Sequence, residues 1–340
     1  MLSTVVLVIT YLILLLVWFA LWAVFLRLGL RWAKIEGITS RRILRVTTLV
    51  FAIQVLSNVG AGVLAWRIAP QIVWAALVPL VTGLLVPWWV IAHAFQTRLR
   101  RSFQAWVPTL AAGVATALVS LVLVRPFLVE TFSIPTNTMA PTLLGNHLKG
   151  TCPDCGRPSV AALPISVLPS LSGRPQLMIC ENFHVLQGMV GSRVFPGDRF
   201  LVAKYLRPRR WDLIVFRNPG EPSEQYVMRL VGLPGEEILI QDGAVWANGT
   251  KQTPPDSIRN IRYLSEFPNA RGKVWGSVNH PAPLGADEYF VLGDFSANSE
   301  DSRFWSEGAP GHPSFAVPRS HLRGVVTHIC WPPQRWRILR

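Results

Sequence analysis

The chain has few charged residues, few cysteines and, in its first 126 residues, almost no acids. Only 15% of its 340 residues are charged and 50% are hydrophobic, whereas roughly 25% are charged in soluble domains. This composition excludes a disordered basic tail and disfavours an ordinary soluble globule. Four cysteines are too few for a small disulfide scaffold. A net charge of +14 is the one feature typical of a nucleic-acid-binding protein.

The scarcity of acids is greatest in residues 1–126. Eleven basic residues occur there against one acid, Glu36, which gives +10 of the total charge of +14. The basic residues lie between long hydrophobic runs and form no single patch. Membrane topology therefore accounts for the charge, and we expect the lipid bilayer rather than nucleic acid to be a partner.

Four runs without Asp, Glu, Lys or Arg predict transmembrane helices at about 2–26, 46–66, 72–95 and 107–124. Each has close to the ~18–20 apolar residues that cross a bilayer. Helices buried in a soluble core are the alternative, which the occurrence of four such runs disfavours. The first run lacks a basic leader and is too long for a cleavable signal peptide, so we expect a retained span.

Loop charges predict the orientation of these spans. Residues 27–45 carry six basic residues and residues 96–106 carry three, whereas the loop near 67–71 carries only Arg67. Loops rich in Lys and Arg face the cytoplasm. We therefore expect the N-terminus, and everything after the fourth span, to lie outside the cytoplasm.

Residues 127–340 are rich in Pro, Gly and short alternating runs. Segments such as Tyr226–Val231 and Glu288–Leu292 have the length and pattern of strands, and turn signals such as Asp242-Gly243 separate them. The sequence predicts a transmembrane region over 1–126 and a mainly antiparallel β domain over 127–340. A cysteine-containing insertion occupies about 145–195 of that domain.

Four segments, in order, resemble motifs of the type I signal peptidase family. They are FSIPTNTMAPTL at Phe132–Leu143, GDRFLVAK at Gly197–Lys204, YVMRLVGLPGE at Tyr226–Glu236 and GDFSANSEDSR at Gly293–Arg303. The resemblance covers most of residues 125–333. It implies a signal peptidase I-like β fold outside the cytoplasm, anchored here by four helices in the bacterial inner membrane. It also implies the signal peptides of exported proteins as substrates.

Members of this family use a serine hydroxyl as nucleophile and a lysine amine as general base. The resemblance places Thr138 at the nucleophile position and Met228 at the base position. Threonine keeps a hydroxyl, although its β-methyl group crowds it, but the thioether of methionine cannot accept the proton. Because a general base contributes ~10²–10⁴-fold, we expect weak activity or none.

The resemblance implies roles for further residues around this altered dyad. Thr136 would complete the oxyanion hole with the backbone N–H of Thr138, while Ser299, Asp301 and Arg303 would support the base and nearby backbone. The pockets for an Ala-x-Ala motif would be lined by Phe132, Ile134, Met139, Leu143, Tyr226 and Val227. The alternative is that these residues only hold the β fold.

Three functional hypotheses follow. The first is a degenerate homologue that binds signal peptides without cutting them, with a catalytically complete paralogue as a candidate partner. The second is an active serine-endopeptidase-like protein using Thr138 and a replacement base, for which Lys204, His147 and His184 are the candidates. The third is a non-catalytic membrane interaction protein. The missing lysine favours the first hypothesis.

The insertion carries the segments Cys152-Pro-Asp-Cys155-Gly and Cys180-Glu-Asn-Phe-His184. A Cys-x-x-Cys pair followed by Gly is typical of a zinc knuckle, and His184 or His147 could complete a Cys₃His site. A Cys152–Cys155 disulfide and free thiols are the alternatives to a structural zinc. No cofactor is expected for catalysis.

Overall fold

The structure is a computed structural model that describes residues 2–68, 74–119, 121–122, 125–163, 175–267 and 273–339. The chain divides into two compact units, Met1–Val124 and Arg125–Arg340. The predicted spans 72–95 and 107–124 and the predicted insertion at about 145–195 each include residues outside the described ranges.

Apolar runs form five α-helices in the described part of the first unit. They are α1 Leu2–Trp32, α2 Ser40–Ile68, α3 Trp74–Ala94, α4 Leu99–Trp106 and α5 Thr109–Val119. Their buried side chains are mainly apolar and include Leu26, Leu30 and Ile91. Helices α1 and α4 approach so closely that a Cβ atom at Gly29 would lie 2.0 Å from the backbone oxygen of Ala105.

Three stretches of these helices are long and apolar enough to cross a membrane. They are Leu15–Trp32, Ser40–Ala61 and Leu99–Val119, and a fourth apolar stretch, Leu80–Ala94, is shorter. The helices expose large apolar side chains such as Leu16 and Leu56, as expected of a surface that faces lipid. The described residues thus support three spans rather than four, and a fourth span within 72–95 stays a prediction.

The helix boundaries differ from the predicted spans because a basic residue ends an apolar run without ending a helix. Arginine is a good helix former, and α1 continues through Arg27 and Arg31 to Trp32. The last apolar stretch begins at Leu99 instead of residue 107. Pro108, which cannot donate a backbone hydrogen bond, lies between α4 and α5.

The second unit begins with a short helix, α6 Arg125–Phe127, and then consists mainly of antiparallel strands. The main sheet has the spatial order β1 Val129–Ser133, β7 Arg199–Ala203, β16 Leu322–Trp331, β8 Leu213–Arg217, β9 Gln225–Gly232, β14 Glu288–Leu292 and β15 Val317–Pro318, with β17 Arg337–Ile338 paired to β16. The predicted mainly antiparallel β domain is confirmed.

Two smaller sheets complete this unit. One has the order β12 Thr250–Lys251, β11 Ala244–Ala247, β10 Glu237–Gln241 and β13 Ala282–Pro283. The other, which we call the insertion sheet, has the order β5 Val185–Gly188, β4 Gln176–Cys180, β3 Pro158–Ala162, β2 His147–Thr151 and β6 Val190–Phe195. Asp242 and Gly243 both have positive φ, 53° and 78°, as a tight hairpin between β10 and β11 requires.

Two apolar clusters hold the segment that follows β1. Met139 and Leu143 of this segment belong to the main cluster, together with Met228 of β9. A smaller cluster joins the same segment to the insertion sheet and to the loop after β14; its buried members are Ala140, Leu144, Val160, Ile179 and Phe295. The segment after β1 is therefore packed against both the main sheet and the insertion sheet.

Candidate active site

The turn after β1 carries Thr138. The Phe295 N–H donates to the backbone oxygen of Thr138 at 2.9 Å, and the Ala140 N–H donates to the Asn137 oxygen at 3.1 Å. Thr138 is half-buried, whereas Thr136 is exposed. Backbone hydrogen bonds on both sides thus fix the turn and leave the Thr136 side chain at the surface.

A second set of hydrogen bonds fixes the residues before Thr138 in place. Buried Asn137 accepts the Gly145 N–H on its Oδ1 at 3.0 Å, and the Asn146 N–H donates to the Pro135 oxygen at 3.1 Å. A Cβ atom at Gly145 would lie 2.1 Å from the Thr136 oxygen. Only glycine therefore allows the two backbone segments to approach this closely.

Met228 lies in the packed core of the main sheet. It is on β9, is 2% exposed and belongs to the main apolar cluster. Strands β9 and β14 pair with Arg229 opposite Leu292. Met228 precedes Arg229 on β9, so the base position lies one residue beyond the last paired position, near the end of β14.

Gly293 is where these segments meet. A Cβ atom built on it would lie 2.0 Å from Ser299 Oγ and 2.8 Å from the backbone oxygen of Thr138. The Gly293 N–H donates to Asp301 Oδ2 at 2.9 Å. The turn with Thr138 and the loop with Ser299 and Asp301 are thus brought together at one glycine.

This close approach predicts that Gly293→Ala destabilises the protein by about 1–3 kcal/mol, because the Thr138 carbonyl is backbone and cannot move away as a side chain could. The midpoint of thermal unfolding of the full chain in detergent measures the effect. Gly191→Ala is the matched control, since the nearest atom to its Cβ would be the Lys149 oxygen at 3.7 Å. Equal midpoints for the two variants would contradict the proposed packing at Gly293.

The Ser299 hydroxyl at this meeting point is buried and, among the described residues, has no hydrogen-bond partner. A buried hydroxyl without a partner costs about 1–3 kcal/mol, and such groups are uncommon in folded proteins. The thioether of nearby Met228 could act only as a weak acceptor. Among the described residues, none supplies a polar partner to the Ser299 hydroxyl.

A buried ion pair lies directly beside the meeting point. Arg229, next to Met228, donates from Nε to Asp294 Oδ1 at 2.8 Å and from Nη2 to Asp294 Oδ2 at 2.5 Å. Its Nη1 donates to the Trp211 oxygen at 2.7 Å, and the Thr142 hydroxyl donates to Asp294. Burial alone would lower the pKa of Arg229, but Asp294 outweighs it and the pKa is raised.

A second buried ion pair orders the loop after β14. Arg303 donates from Nε and Nη2 to the two carboxylate oxygens of Asp301, at 2.8 Å and 2.7 Å. Its Nη1 donates to Ser296 Oγ at 2.8 Å, and both Asp301 and Arg303 are fully buried. Since Asp301 also holds the Gly293 N–H, this pair positions the backbone beside Ser299.

Comparison with known proteins gives one consistent result. A sequence model described as "Signal peptidase, peptidase S26" matches residues 165–331, which include the segments with Met228, Ser299, Asp301 and Arg303. A signal peptidase I from Leptolyngbya laminosa is 32% identical over 157 residues, which cover 41% of this chain and 63% of that protein. The chain is similar to signal peptidases of the S26 family over this region.

Other relatives agree. A signal peptidase I from Rickettsia prowazekii is 25% identical over 203 residues, which cover 53% of this chain and 66% of that protein. The chain thus matches less than two thirds of the length of either relative. A crystal structure of a signal peptidase I from Enterococcus faecalis V583 is 26% identical, covers 36% of this chain and 98% of that chain, and has a TM-score of 0.26.

The three candidate replacement bases each have other polar neighbours. Lys204 Nζ lies 2.8 Å from Glu130 Oε2 in a largely buried ion pair. His147 Nδ1 lies 2.8 Å from the Gly145 oxygen, and burial lowers the pKa of His147. His184 lies among cysteines. Within the described part of the chain, none of the three is hydrogen-bonded to the Thr138 hydroxyl.

The six predicted pocket residues fall into two groups. Half-buried at the edge of the main apolar cluster are Phe132, Ile134 and Tyr226, and buried within it are Met139, Leu143 and Val227. Among the described strands, β1 pairs only with β7 and forms one end of the main sheet. The half-buried residues Phe132 and Ile134 therefore lie on or beside an edge strand.

Several residues that hold the site were not identified from the sequence. Asn137, Thr142 and Asp294 all lie inside the motif-like segments. Their position in the sequence therefore offers one reason to consider them as site residues. Their side chains are polar and buried, which a sequence pattern does not reveal. In the structure they connect the turn after β1 to the Gly145 backbone and to the Arg229 guanidinium.

The predicted metal ligands also lie together. The ligand atoms of Cys152, Cys155, Cys180 and His184 are all within 4.8 Å of one another. His147, the other histidine considered as a ligand, is not a member of this group. The four ligands come from two turns of the insertion sheet.

Proposed function

We propose that this chain is a membrane-bound signal peptidase I-like protein that recognises Ala-x-Ala signal peptides and cleaves them weakly or not at all. Its helices anchor it in the bacterial inner membrane, with the N-terminus and the β unit outside the cytoplasm. The observation that carries the proposal is the buried, apolar environment of Met228, a side chain that is 2% exposed and belongs to the main apolar cluster.

Peptide recognition rests on the free edge of β1. An extended peptide can add to an edge strand through backbone hydrogen bonds, while pockets for alternate side chains provide specificity. Phe132, Ile134 and Tyr226 are partly exposed on the main apolar cluster, where small side chains such as alanine would be accommodated. This arrangement supports binding of a peptide and does not depend on the identity of the base.

Catalysis requires more than this arrangement supplies. A hydroxyl at neutral pH needs an adjacent base to become an effective nucleophile. Thr138 keeps its hydroxyl, but Met228 offers no proton acceptor, and Arg229 next to it is held protonated by Asp294. Lys204 is paired with Glu130. We therefore favour binding without efficient cleavage over an active peptidase with a replacement base.

Photocrosslinking tests the binding half of this proposal. We expect a photoreactive amino acid at Ile134 of the full chain, in detergent, to capture a preprotein whose signal peptide ends in Ala-x-Ala and to leave it uncleaved. The same group at Val278, which is 64% exposed and outside the main sheet, is the control position. A preprotein with both alanines replaced by arginine is the control ligand.

The outcomes of this experiment separate the hypotheses. Capture at Ile134 that falls for the arginine-substituted preprotein supports recognition of the motif. Capture no greater at Ile134 than at Val278 would contradict peptide binding and favour an interaction protein of another kind. A captured preprotein that has lost its signal peptide would contradict the absence of efficient cleavage.

A further inference from the structure

Two turns of the insertion sheet lie side by side and carry side chains that could bind a metal ion. The first joins β2 to β3 and contains Cys152 and Cys155; its backbone is held by the Gly156 N–H, which donates to the Cys152 oxygen at 2.8 Å. The second joins β4 to β5 and contains Cys180 and His184, whose backbones are joined by a hydrogen bond of 3.1 Å. Because β3 pairs with β4, the two turns lie side by side.

The distances between the four side chains fit a tetrahedral metal ion. Cys155 Sγ lies 3.7 Å from Cys180 Sγ, and Cys152 Sγ lies 3.8 Å from His184 Nδ1. With Zn–S bonds of about 2.3 Å and Zn–N bonds of about 2.0 Å, a tetrahedron separates two sulfur atoms by about 3.8 Å and sulfur from nitrogen by about 3.5 Å. The observed separations are close to both values.

The alternatives considered for these cysteines fit less well. All four cysteines are free thiols, and a Cys152–Cys155 disulfide would not require Cys180 and His184 to converge on the same pair within 4.8 Å. Free thiols alone would not require three sulfur atoms and an imidazole nitrogen to converge. Cys330 is on β16, where its thiol faces the Arg199 oxygen, and takes no part in the cluster.

We propose that Cys152, Cys155, Cys180 and His184 bind one Zn²⁺ ion as a structural site. Three thiolates and one imidazole form a donor set that suits zinc rather than calcium or magnesium. Four protein ligands leave no open position, which is characteristic of structural rather than catalytic zinc. The proposal does not depend on the proposed peptide binding, because it rests on the insertion sheet alone.

The site has a second consequence through Phe183, which lies in the second turn between Cys180 and His184. Phe183 has a positive φ of 64°, an uncommon conformation for a bulky residue. Its ring packs on the small cluster that includes Ala140 and Phe295. Zinc that holds the second turn would therefore also hold the insertion sheet against the segment carrying Thr138.

Metal content tests the site directly. We expect the full chain, purified in detergent with reductant, to contain about one zinc per chain by plasma mass spectrometry. Cys155→Ser and His184→Ala should each lose most of this zinc, whereas Cys330→Ser, the matched thiol control, should retain it. Replacement of zinc by Co²⁺ should produce the visible absorption of a tetrahedral thiolate site in the wild type and in Cys330→Ser only.

Three results would overturn the metal site. The first is absence of zinc both after purification and after the reduced chain is supplied with Zn²⁺. The second is equal zinc content in wild type, Cys155→Ser and His184→Ala. The third is a disulfide among the three cluster cysteines in a chain that binds no metal. If a cluster variant fails to fold, the Co²⁺ spectrum of the wild-type protein still shows whether a tetrahedral thiolate site is present.

Hydrogen exchange tests the link to the Thr138 segment. Chelation of the zinc should speed amide exchange of residues 138–144 and 176–184 by at least about tenfold, while β10 and β11 serve as the control region. Unchanged exchange of residues 138–144, with faster exchange of 176–184, would contradict the link through Phe183 but leave the metal site supported.

Discussion

Asp294→Ala is expected to reduce the free energy of unfolding of the β unit by about 3–5 kcal/mol, the usual cost of removing one partner of a buried ion pair. Arg229 is 5% exposed and Asp294 is 2% exposed, so neither water nor salt compensates for the loss. The variant would leave a buried guanidinium whose remaining partners are neutral oxygens such as that of Trp211. Chemical unfolding of the full chain in detergent, followed by tryptophan fluorescence, measures the change.

The chain offers a matched control for this variant. Arg157 and Glu181 form an ion pair at 3.8 Å in which both side chains are more than half exposed, at 58% and 53%. Exposed pairs contribute about 0–1 kcal/mol, so Glu181→Ala should have little effect. An Asp294→Ala variant no less stable than Glu181→Ala would contradict the role of the buried pair.

A double replacement distinguishes the charge from its surroundings. When both members of a buried pair are replaced by apolar residues of similar size, the uncompensated charge disappears with its partner. We therefore expect Arg229→Met/Asp294→Leu to be more stable than Asp294→Ala. A double variant less stable than the single variant would mean that Arg229 contributes mainly through its other contacts, such as the one to Trp211.

The second large effect is a gain of function. Thr138→Ser/Met228→Lys is expected to cleave a preprotein at least about 100-fold faster than the unmodified chain, since a general base contributes ~10²–10⁴-fold. A lysine of similar length to methionine would enter a site that is 2% exposed, and burial would lower the pKa of its amine. The Ser299 hydroxyl, which has no hydrogen-bond partner among the described residues, would be available to it.

Two further variants serve as controls for this gain. Thr138→Ala/Met228→Lys contains the new lysine without a hydroxyl, and Met228→Leu keeps the site apolar. Both should remain inactive, and thermal unfolding midpoints establish that all variants fold. A folded Thr138→Ser/Met228→Lys protein that cleaves no faster than Thr138→Ala/Met228→Lys would contradict the view that the missing base limits activity.

Much of the β unit could be predicted from the sequence because its signals are local. The predicted strand Glu288–Leu292 has the bounds of β14, and Tyr226–Val231 lies within β9. The turn residues Asp242-Gly243 have the backbone conformation that their chemistry favours. Local alternation and turn chemistry are enough to locate a strand or a tight turn, although β9 and β14 pair with each other across a long sequence separation.

Pairing between distant segments could not be predicted in this way. The insertion was recognised by its cysteines, but its five-stranded sheet depends on which strands pair, and local patterns do not specify that. Likewise, the ligand histidine could have been His147 or His184, and only the pairing of β3 with β4 brings His184 to the cysteines. Arg229 and its partner Asp294 are 65 residues apart in the chain. Their pairing depends on the fold in the same way.

The helical unit is harder to predict, because the bounds of an apolar run in the sequence differ from the bounds of the helix that contains it. Arg27 and Arg31 ended the first run but not the helix. The described residues 107–119 of the predicted run belong to an apolar stretch that begins at Leu99 and passes Pro108. Charge patterns therefore located the apolar segments, while the exact helix bounds depended on helix propensity and on the position of proline.

We propose that the chain resembles a signal peptidase at this site but lacks a working base, because Met228 is at the base position. The most direct test is prolonged incubation of the purified full chain in detergent with a preprotein, beside the Thr138→Ala variant. We predict the same product level from both, at the background of a reaction without protein. Cleavage by the unmodified chain that is lost in Thr138→Ala would contradict the claim and establish a threonine-dependent peptidase.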